Sequence, residues 1–160
     1  MSMTTKSVTS LAHQSVKRKP YILAVDDNQD NLILIGCVLE NLGYPYLSAG
    51  SSQQALSLLQ HYQPQLILLD IVLPDVDGLQ LLRQIRGDRR IGRVTTVAVT
   101  GLALRKDRQR LLAAGFDDYL SKPYLLSDLE ALICRHLTQS DCVFSHRRCP
   151  KKNQETEIQK

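Results

Sequence analysis

The sequence predicts an α/β fold in which helices cover both faces of a doubly wound parallel β-sheet. Strand-like and helix-like segments alternate strictly along the chain, five of each. The longer strand-like segments are continuous apolar runs, which are typical of strands buried on both faces of a parallel sheet. With 160 residues and 43% hydrophobic residues, the chain can form one domain with an ordinary core.

Hydrophobic periodicity places these elements in order. Short apolar runs predict strands, and apolar residues three and four positions apart predict helices. The strands are expected at residues 21–25, 44–48, 66–70, 94–99 and 117–120. The helices are expected at residues 29–42, 51–62, 79–86, 104–114 and 127–136.

Local signals support several of these boundaries. Gly43 follows the first helix, as a residue just beyond a helix often does. Pro45 has no backbone donor, which places the second strand at an edge of the sheet. Two residue pairs have the spacing of a capping box, at the start of the second and fifth helices: Ser51 with Gln54, and Ser127 with Glu130.

Polar residues follow four of the predicted strands: Asp26, Asp27, Asp70, Thr100 and Lys122. Parallel α/β sheets bind ligands beyond the carboxyl ends of their strands, so these side chains are expected to meet at one edge. Taken alone, the aspartate pair would be a helix cap, the threonine a loop residue and the lysine a solvated one. Together they indicate a site for a divalent cation and a phosphoryl group.

The same residues, with Pro123 after the lysine, resemble the receiver domain of two-component response regulators. The segments 70–78 and 118–123 are also similar to that family, and the resemblance covers residues 21–138. It implies a flavodoxin-like (βα)5 fold with strand order 2-1-3-4-5. We therefore expect a disordered basic extension at 1–19, a receiver domain at 20–138 and a flexible tail at 139–160.

The resemblance also implies a role for each acidic residue. Asp70 would accept the phosphoryl group, because a carboxylate can form an aspartyl phosphate. Asp27, Asp70 and the backbone carbonyl of Val72 would bind Mg²⁺ (or Mn²⁺) directly, and Asp26 would act through a metal-bound water. The cation would offset the repulsion between the carboxylates and the incoming anion.

The remaining site residues would act on the phosphoryl oxygens and on the response. By resemblance, Lys122 supplies a positive charge and Thr100 a hydroxyl hydrogen bond. Thr100 and Tyr119 would form the switch, in which the ring turns inward after phosphorylation. The peptide bond between Lys122 and Pro123 is expected to be cis.

Two bulky apolar residues are expected beside the path of hydrolytic water. Val72 lies two positions after Asp70, and Leu102 lies two positions after Thr100. In receivers these positions border that path. We expect the two side chains to exclude water and so to give a long-lived aspartyl phosphate.

The resemblance implies a signalling protein that is not an enzyme beyond its own phosphorylation and dephosphorylation. The 22 residues after Thr138 cannot form an output module, so a single-domain regulator that acts by binding another protein is expected. A histidine kinase or phosphotransfer protein would donate the phosphoryl group. A downstream protein would bind the face of the fourth helix, fifth strand and fifth helix, where four basic residues cluster: Arg105, Lys106, Arg108 and Arg110. A homodimer is left open.

Charge and composition exclude other classes. The net charge is +4, but residues 1–19 carry +4, residues 20–138 carry −2 and residues 139–160 carry +2. The basic character therefore lies in the tails and does not indicate nucleic-acid binding. No run approaches the roughly 20 apolar residues of a membrane helix, and no signal-peptide pattern is present, so a cytoplasmic protein is expected. Cys142, His146 and Cys149 are expected to lie in a disordered tail, since no fourth zinc ligand is evident.

Two alternatives remain. A phosphohydrolase of the haloacid dehalogenase type also uses an aspartate nucleophile at a strand end with Mg²⁺, but that family needs a second Asp where this chain has Val72. A receiver that acts unphosphorylated, as a scaffold, would not need the intact acidic cluster.

Overall fold

Five strands and five helices alternate along residues 21–101 and 105–141, the part of the chain that the computed structural model describes. The strands are β1 (Ile22–Val25), β2 (Tyr46–Ala49), β3 (Leu66–Leu69), β4 (Thr95–Thr100) and β5 (Asp118–Ser121). The helices are α1 (Gln29–Leu42), α2 (Ser52–His61), α3 (Gly78–Gly87), α4 (Arg105–Ala113) and α5 (Leu126–Asp141). All ten predicted elements are present.

The strands form one parallel sheet in the order β2-β1-β3-β4-β5, so the flavodoxin-like topology is confirmed. β2 lies at an edge, as predicted, and begins directly after Pro45. β1 and β3 are central neighbours, and Val25 pairs with Leu69 at their ends. This register carries the next residues, Asp26 and Asp70, to the same edge of the sheet.

The core has two layers, one on each face of the sheet. One cluster joins the sheet to α2, α3 and α4, and the other joins it to α1 and α5. Along β1, Leu23 and Val25 pack into the first cluster, whereas Ile22 and Ala24 pack into the second. A strand with apolar residues on both faces therefore reads as a continuous apolar run, which is the pattern found in the sequence.

The caps of α1 and α2 agree with the sequence. Gly43 ends α1 with φ 73°, a left-handed conformation that glycine adopts without strain. The Ser51 hydroxyl accepts a hydrogen bond from the Gln54 amide at 3.2 Å, as in a capping box. The Gln54 side chain accepts from the amide of Gly50 at 2.8 Å, one residue earlier than the motif predicts.

The predicted cap of α5 is wrong. The helix begins at Leu126, so Ser127 lies inside its first turn. Asp128 instead accepts a hydrogen bond from the Leu125 amide at 3.3 Å. A carboxylate three residues into a helix can reach back to the capping residue, and its charge favours the helix N-terminus. α5 also continues to Asp141, beyond the Thr138 at which the sequence places the domain end.

Several predictions lie outside the described residues. They concern the basic N-terminal extension, Leu102, and the tail that contains Cys142, His146 and Cys149. Of the other cysteines, Cys37 is exposed on α1 and Cys134 is half-buried on α5. Within residues 21–101 and 105–141, no helix combines the length and apolar character that a membrane crossing requires.

Candidate functional site

The central strands bring three aspartates together at the carboxyl edge of the sheet. Asp26 and Asp27 follow β1, Asp70 follows β3, and each offers a carboxylate oxygen within 4.8 Å of the others. Asp26 and Asp70 are only 1% and 7% exposed, whereas Asp27 is exposed. Clustered carboxylates repel one another, and hard oxygen ligands of this kind suit Mg²⁺. The residues therefore fit a divalent cation.

Lys122 neutralises part of this charge. Its Nζ atom donates to Asp26 Oδ2 at 2.6 Å and to Asp70 Oδ2 at 2.7 Å. Burial lowers the pKa of Lys122, but the hydrogen bonds to the two carboxylates outweigh burial and raise the pKa above its usual 10.5. The peptide bond that joins Lys122 to Pro123 is cis. The ammonium is thus a fixed positive charge between two of the acids.

Asp26 is held in place by further donors. The Asn31 side-chain amide donates to both of its oxygens, at 3.0 and 3.3 Å, and the Asn28 backbone amide donates at 2.9 Å. Asn28 also caps α1, where its side chain accepts from the Asp30 amide at 2.9 Å. The sequence did not identify Asn31 as a site residue. Its position in the first turn of α1, four residues after Asp27, was the available signal.

The loop after Asp70 approaches the site closely. The Val72 amide donates to Asp70 Oδ1 at 3.0 Å, so this loop orients the acid. The Val72 side chain is 65% exposed. At Gly78 a Cβ atom would lie 2.5 Å from the Asp70 carbonyl oxygen, so any larger residue would push α3 away from β3. Glycine is required there because two backbones meet.

Asp75 anchors the same loop to α2. It accepts from the Ser52 hydroxyl at 2.6 Å and from the amides of Ser52 and Gln53 at 3.1 and 3.0 Å. These hydrogen bonds, first of all that from the Ser52 hydroxyl, hold the pKa of Asp75 well below its usual 3.8. The charged form caps a helix N-terminus from outside the helix. The sequence offered no signal for this contact because the partners are 22 and 23 residues apart.

The predicted switch residues lie on neighbouring strands. Thr100 ends β4 and is fully buried, and its carbonyl accepts from the Lys122 amide at 2.8 Å. Tyr119 lies on β5, packs partly against the cluster beneath α4, and has the Arg108 guanidinium 5.4 Å from its ring centroid. At that distance the cation and the ring attract each other. A charged residue of α4 therefore covers the ring.

The surface around Tyr119 forms a shallow groove of about 260 Å³ over β5. Its lining residues are Arg108, Asp118, Tyr119, Leu120, Ser121 and Arg135. Asp118 accepts from His136 at 3.0 Å and pairs with Arg135 at 3.2 Å. Of the four predicted basic residues on α4, Arg108 and Arg110 are exposed. The side chains of Arg105 and Lys106 lie outside the described set.

Comparison with known proteins agrees with this arrangement. The family model of the response regulator receiver domain matches residues 22–134. The polar-differentiation response regulator DivK of Brucella ovis is 34% identical over 102 residues, which are 64% of this chain and 83% of that protein.

Solved structures share the fold. The receiver domain of the sensor histidine kinase PA1611 from Pseudomonas aeruginosa, with a magnesium ion coordinated in its active site cleft, is 34% identical. Its TM-score is 0.68, over 75% of this chain and 98% of that one. The chemotaxis response regulator CheY4 of Vibrio cholerae has a TM-score of 0.71 at 23% identity, over 74% of this chain and 99% of that one.

These matches exclude one of the two alternatives that the sequence left open. The family model covers most of the chain, which excludes the haloacid dehalogenase alternative. Receiver domains are signalling proteins that interact with histidine kinases or phosphotransfer proteins, and they are not an enzyme family. The chain belongs to the receiver domains of two-component response regulators.

Proposed function

We propose that Asp70 accepts a phosphoryl group from a phosphohistidine of a histidine kinase or phosphotransfer protein. The P–N bond of the donor breaks, its electron pair stays with the imidazole, and a P–O bond forms at a carboxylate oxygen of Asp70. The observation that carries this proposal is the contact of Lys122 with both buried acids, at 2.6 and 2.7 Å. A cation at that place can stabilise phosphoryl oxygens as they arrive.

The contacts favour Asp70 over its neighbour as the acceptor. Both oxygens of Asp26 accept from the Asn31 amide, and Lys122 and the Asn28 backbone add two further hydrogen bonds. Asp70 accepts only from Lys122 and the Val72 amide in the hydrogen bonds that the described residues show. The oxygens of Asp70 therefore accept fewer hydrogen bonds than those of Asp26. Both donors to Asp70 can also stabilise the phosphorylated acid.

We propose that Mg²⁺ (or Mn²⁺) is held by Asp27, Asp70 and the Val72 carbonyl, with Asp26 acting through a metal-bound water. Such a cation would supply the positive charge that lets an anionic phosphoryl group approach three carboxylates. The magnesium ion in the active site cleft of the PA1611 receiver supports the choice of cation, and the cluster of three aspartates supports its place. Lys122 then turns toward the phosphoryl oxygens, and Thr100 donates its hydroxyl to one of them.

The output is proposed to be a change in a protein-binding surface. Thr100 is joined to Lys122 through its carbonyl, and Tyr119 lies beside it on β5 under Arg108. A shift of Thr100 toward the phosphoryl group would open space for the ring and change the face of α4, β5 and α5. The exposed arginines on this face suit an acidic partner. By family membership we place the protein in the bacterial cytoplasm.

Intact-mass measurement tests the chemistry. The protein is incubated with acetyl phosphate and Mg²⁺, and wild type is compared with Asp70→Asn. The matched control is Asp88→Asn, which changes an aspartate at the end of α3, outside the acidic cluster. We expect wild type and the control to gain one phosphoryl group and Asp70→Asn to gain none. Equal gain in Asp70→Asn would show that another residue is the acceptor, and no gain in wild type would contradict the proposal and leave the scaffold alternative.

The lifetime of the phosphoryl group is a separate proposal. The exposed, apolar Val72 side chain lies next to the acceptor loop, where it can exclude hydrolytic water. Val72→Asn would place an amide there that can orient a water molecule. We expect the variant to lose phosphate several times faster than wild type in a phosphate-release assay. An unchanged rate would show that this side chain does not limit hydrolysis.

A further inference from the structure

Tyr124 carries a hydroxyl group that the architecture leaves without a partner. The residue lies two positions after Lys122, and its ring packs against the apolar cluster shared by α1 and α5. Its hydroxyl is buried and makes no hydrogen bond within the part of the chain that is described. Burying a polar group without a partner costs free energy that a phenylalanine would not incur. The hydroxyl therefore works against the stability of the resting protein.

The surroundings of this hydroxyl connect it with the acidic site. Burial raises the pKa of Tyr124, so the group is a neutral donor at physiological pH. The charges of Lys122, Asp26 and Asp70 all act on it: the lysine lowers the pKa and the two aspartates raise it. The orphan donor thus lies within electrostatic reach of the residues proposed to handle the phosphoryl group.

Binding of a phosphoryl group at the site would make Asp26 an acceptor for this hydroxyl. In the resting protein Lys122 donates to Asp26 Oδ2 at 2.6 Å while it also holds Asp70. If Lys122 turns to the phosphoryl oxygens, Asp26 loses a charged donor although it is only 1% exposed. A buried carboxylate that loses a donor is costly unless another replaces it.

We propose that Tyr124 is a positioning residue of the site, whose hydroxyl donates to Asp26, directly or through one water, once Lys122 has turned to the phosphoryl group. This inference rests on the proposed function and extends it. The hydroxyl lacks a partner in the resting state, and in the loaded state Asp26 keeps its bonds from Asn28 and Asn31 but lacks its charged donor, so the two groups complement each other. Tyr124 thereby lowers the free energy of the loaded state relative to the resting one.

The substitution Tyr124→Phe separates this role from a structural one. It should preserve or raise the stability of the resting protein but weaken binding of a phosphoryl analogue. Without ligand, the variant should be as stable as wild type or more stable in thermal unfolding. With Mg²⁺ and beryllofluoride, a phosphoryl analogue, its affinity in calorimetry should fall about tenfold, the loss expected for one hydrogen bond to a charged group. Tyr62→Phe, which removes an exposed hydroxyl beyond α2, should change neither quantity.

A spectroscopic measurement adds an independent readout. In protein labelled with ¹³Cζ-tyrosine, the resonance that is missing from Tyr124→Phe is assigned to Tyr124. The chemical shift of that resonance in wild type should change when Mg²⁺ and beryllofluoride are added. Wild-type affinity retained in Tyr124→Phe, or a resonance that does not shift, would overturn the inference. Failure of wild type itself to bind beryllofluoride would instead refute the proposed function.

Discussion

Lys122→Met should destabilise the resting protein strongly, because it removes the ammonium that separates two buried acids. At 2.6 and 2.7 Å, each contact corresponds to about 6 kcal/mol of attraction at an effective dielectric constant of about 20. Carboxylate oxygens that lie within 4.8 Å of one another repel by at least about 3 kcal/mol under the same assumption. Desolvation of the lysine offsets much of the attraction in the native protein.

The expected loss of stability in Lys122→Met is smaller than these Coulomb energies. Removing one partner of a buried pair costs about 3 to 5 kcal/mol. The Lys122 side chain is 21% exposed, so we take the lower end, about 3 kcal/mol. For a domain of this size, that lowers the unfolding midpoint by roughly 10 °C. Arg90→Met, which removes a cation from an exposed pair with Asp88, is the control and should leave the midpoint nearly unchanged.

Scanning calorimetry with and without Mg²⁺ provides the assay. The raised pKa of Lys122 means that its contribution is fully present below 10.5 and is lost only as the pH rises through the higher folded value. The difference in unfolding midpoint between wild type and Lys122→Met should therefore be constant between about pH 7 and pH 9. Mg²⁺ should stabilise Lys122→Met more than wild type, because it no longer competes with an ammonium for Asp70. Equal stabilisation of both proteins, or an unchanged midpoint without Mg²⁺, would refute the reasoning.

Three further substitutions test individual contacts. Asn31→Ala should lower the free energy of unfolding in urea by about 1.5 kcal/mol, because Asp26 loses a side-chain donor. Arg108→Ala should shift the Tyr119 ring equilibrium two- to fivefold in NMR, since an exposed cation–π contact contributes about 0.5 to 1 kcal/mol. Asp75→Asn should speed amide exchange at the start of α2 at neutral pH. In wild type that anchor, whose pKa is lowered, should hold above pH 3.8 and weaken as the pH falls below it.

The sequence predicted the features that depend on local pattern and on the geometry of parallel sheets. Apolar periodicity located ten elements, and the rule for strand ends brought Asp26 and Asp70 to one edge before any coordinates were considered. The start of α5 was misplaced because Ser127 and Glu130 have the spacing of a capping box, whereas in the folded loop Asp128 accepts from the Leu125 amide. Such a choice depends on side-chain reach within the folded loop, which a spacing rule does not contain.

Contacts between side chains that are distant in the sequence could not be predicted from it. The bond from Ser52 to Asp75 and the orphan hydroxyl of Tyr124 follow from how loops pack against helices, and neither leaves a periodic signal. Asn31 lies four residues after Asp27 in the sequence, but its bonds to Asp26 depend on the rotamers of both side chains. The sequence could therefore name the acids and the lysine that the structure brings together at the sheet edge, whereas it could not name the residues that orient them.

If Asp70 accepts a phosphoryl group as proposed, the contacts of the site provide a route by which that group would change a surface some distance away. Lys122 is held by two carboxylates through its side chain and joined to Thr100 through its amide. The Lys122 backbone is therefore tied to the end of β4, while its side chain is held by the two acids. The neighbouring β5 carries Tyr119, whose ring is covered by Arg108 from α4. Under the proposed function, a local exchange of charge partners would be transmitted through these two adjacent strands to α4, which a binding partner would contact.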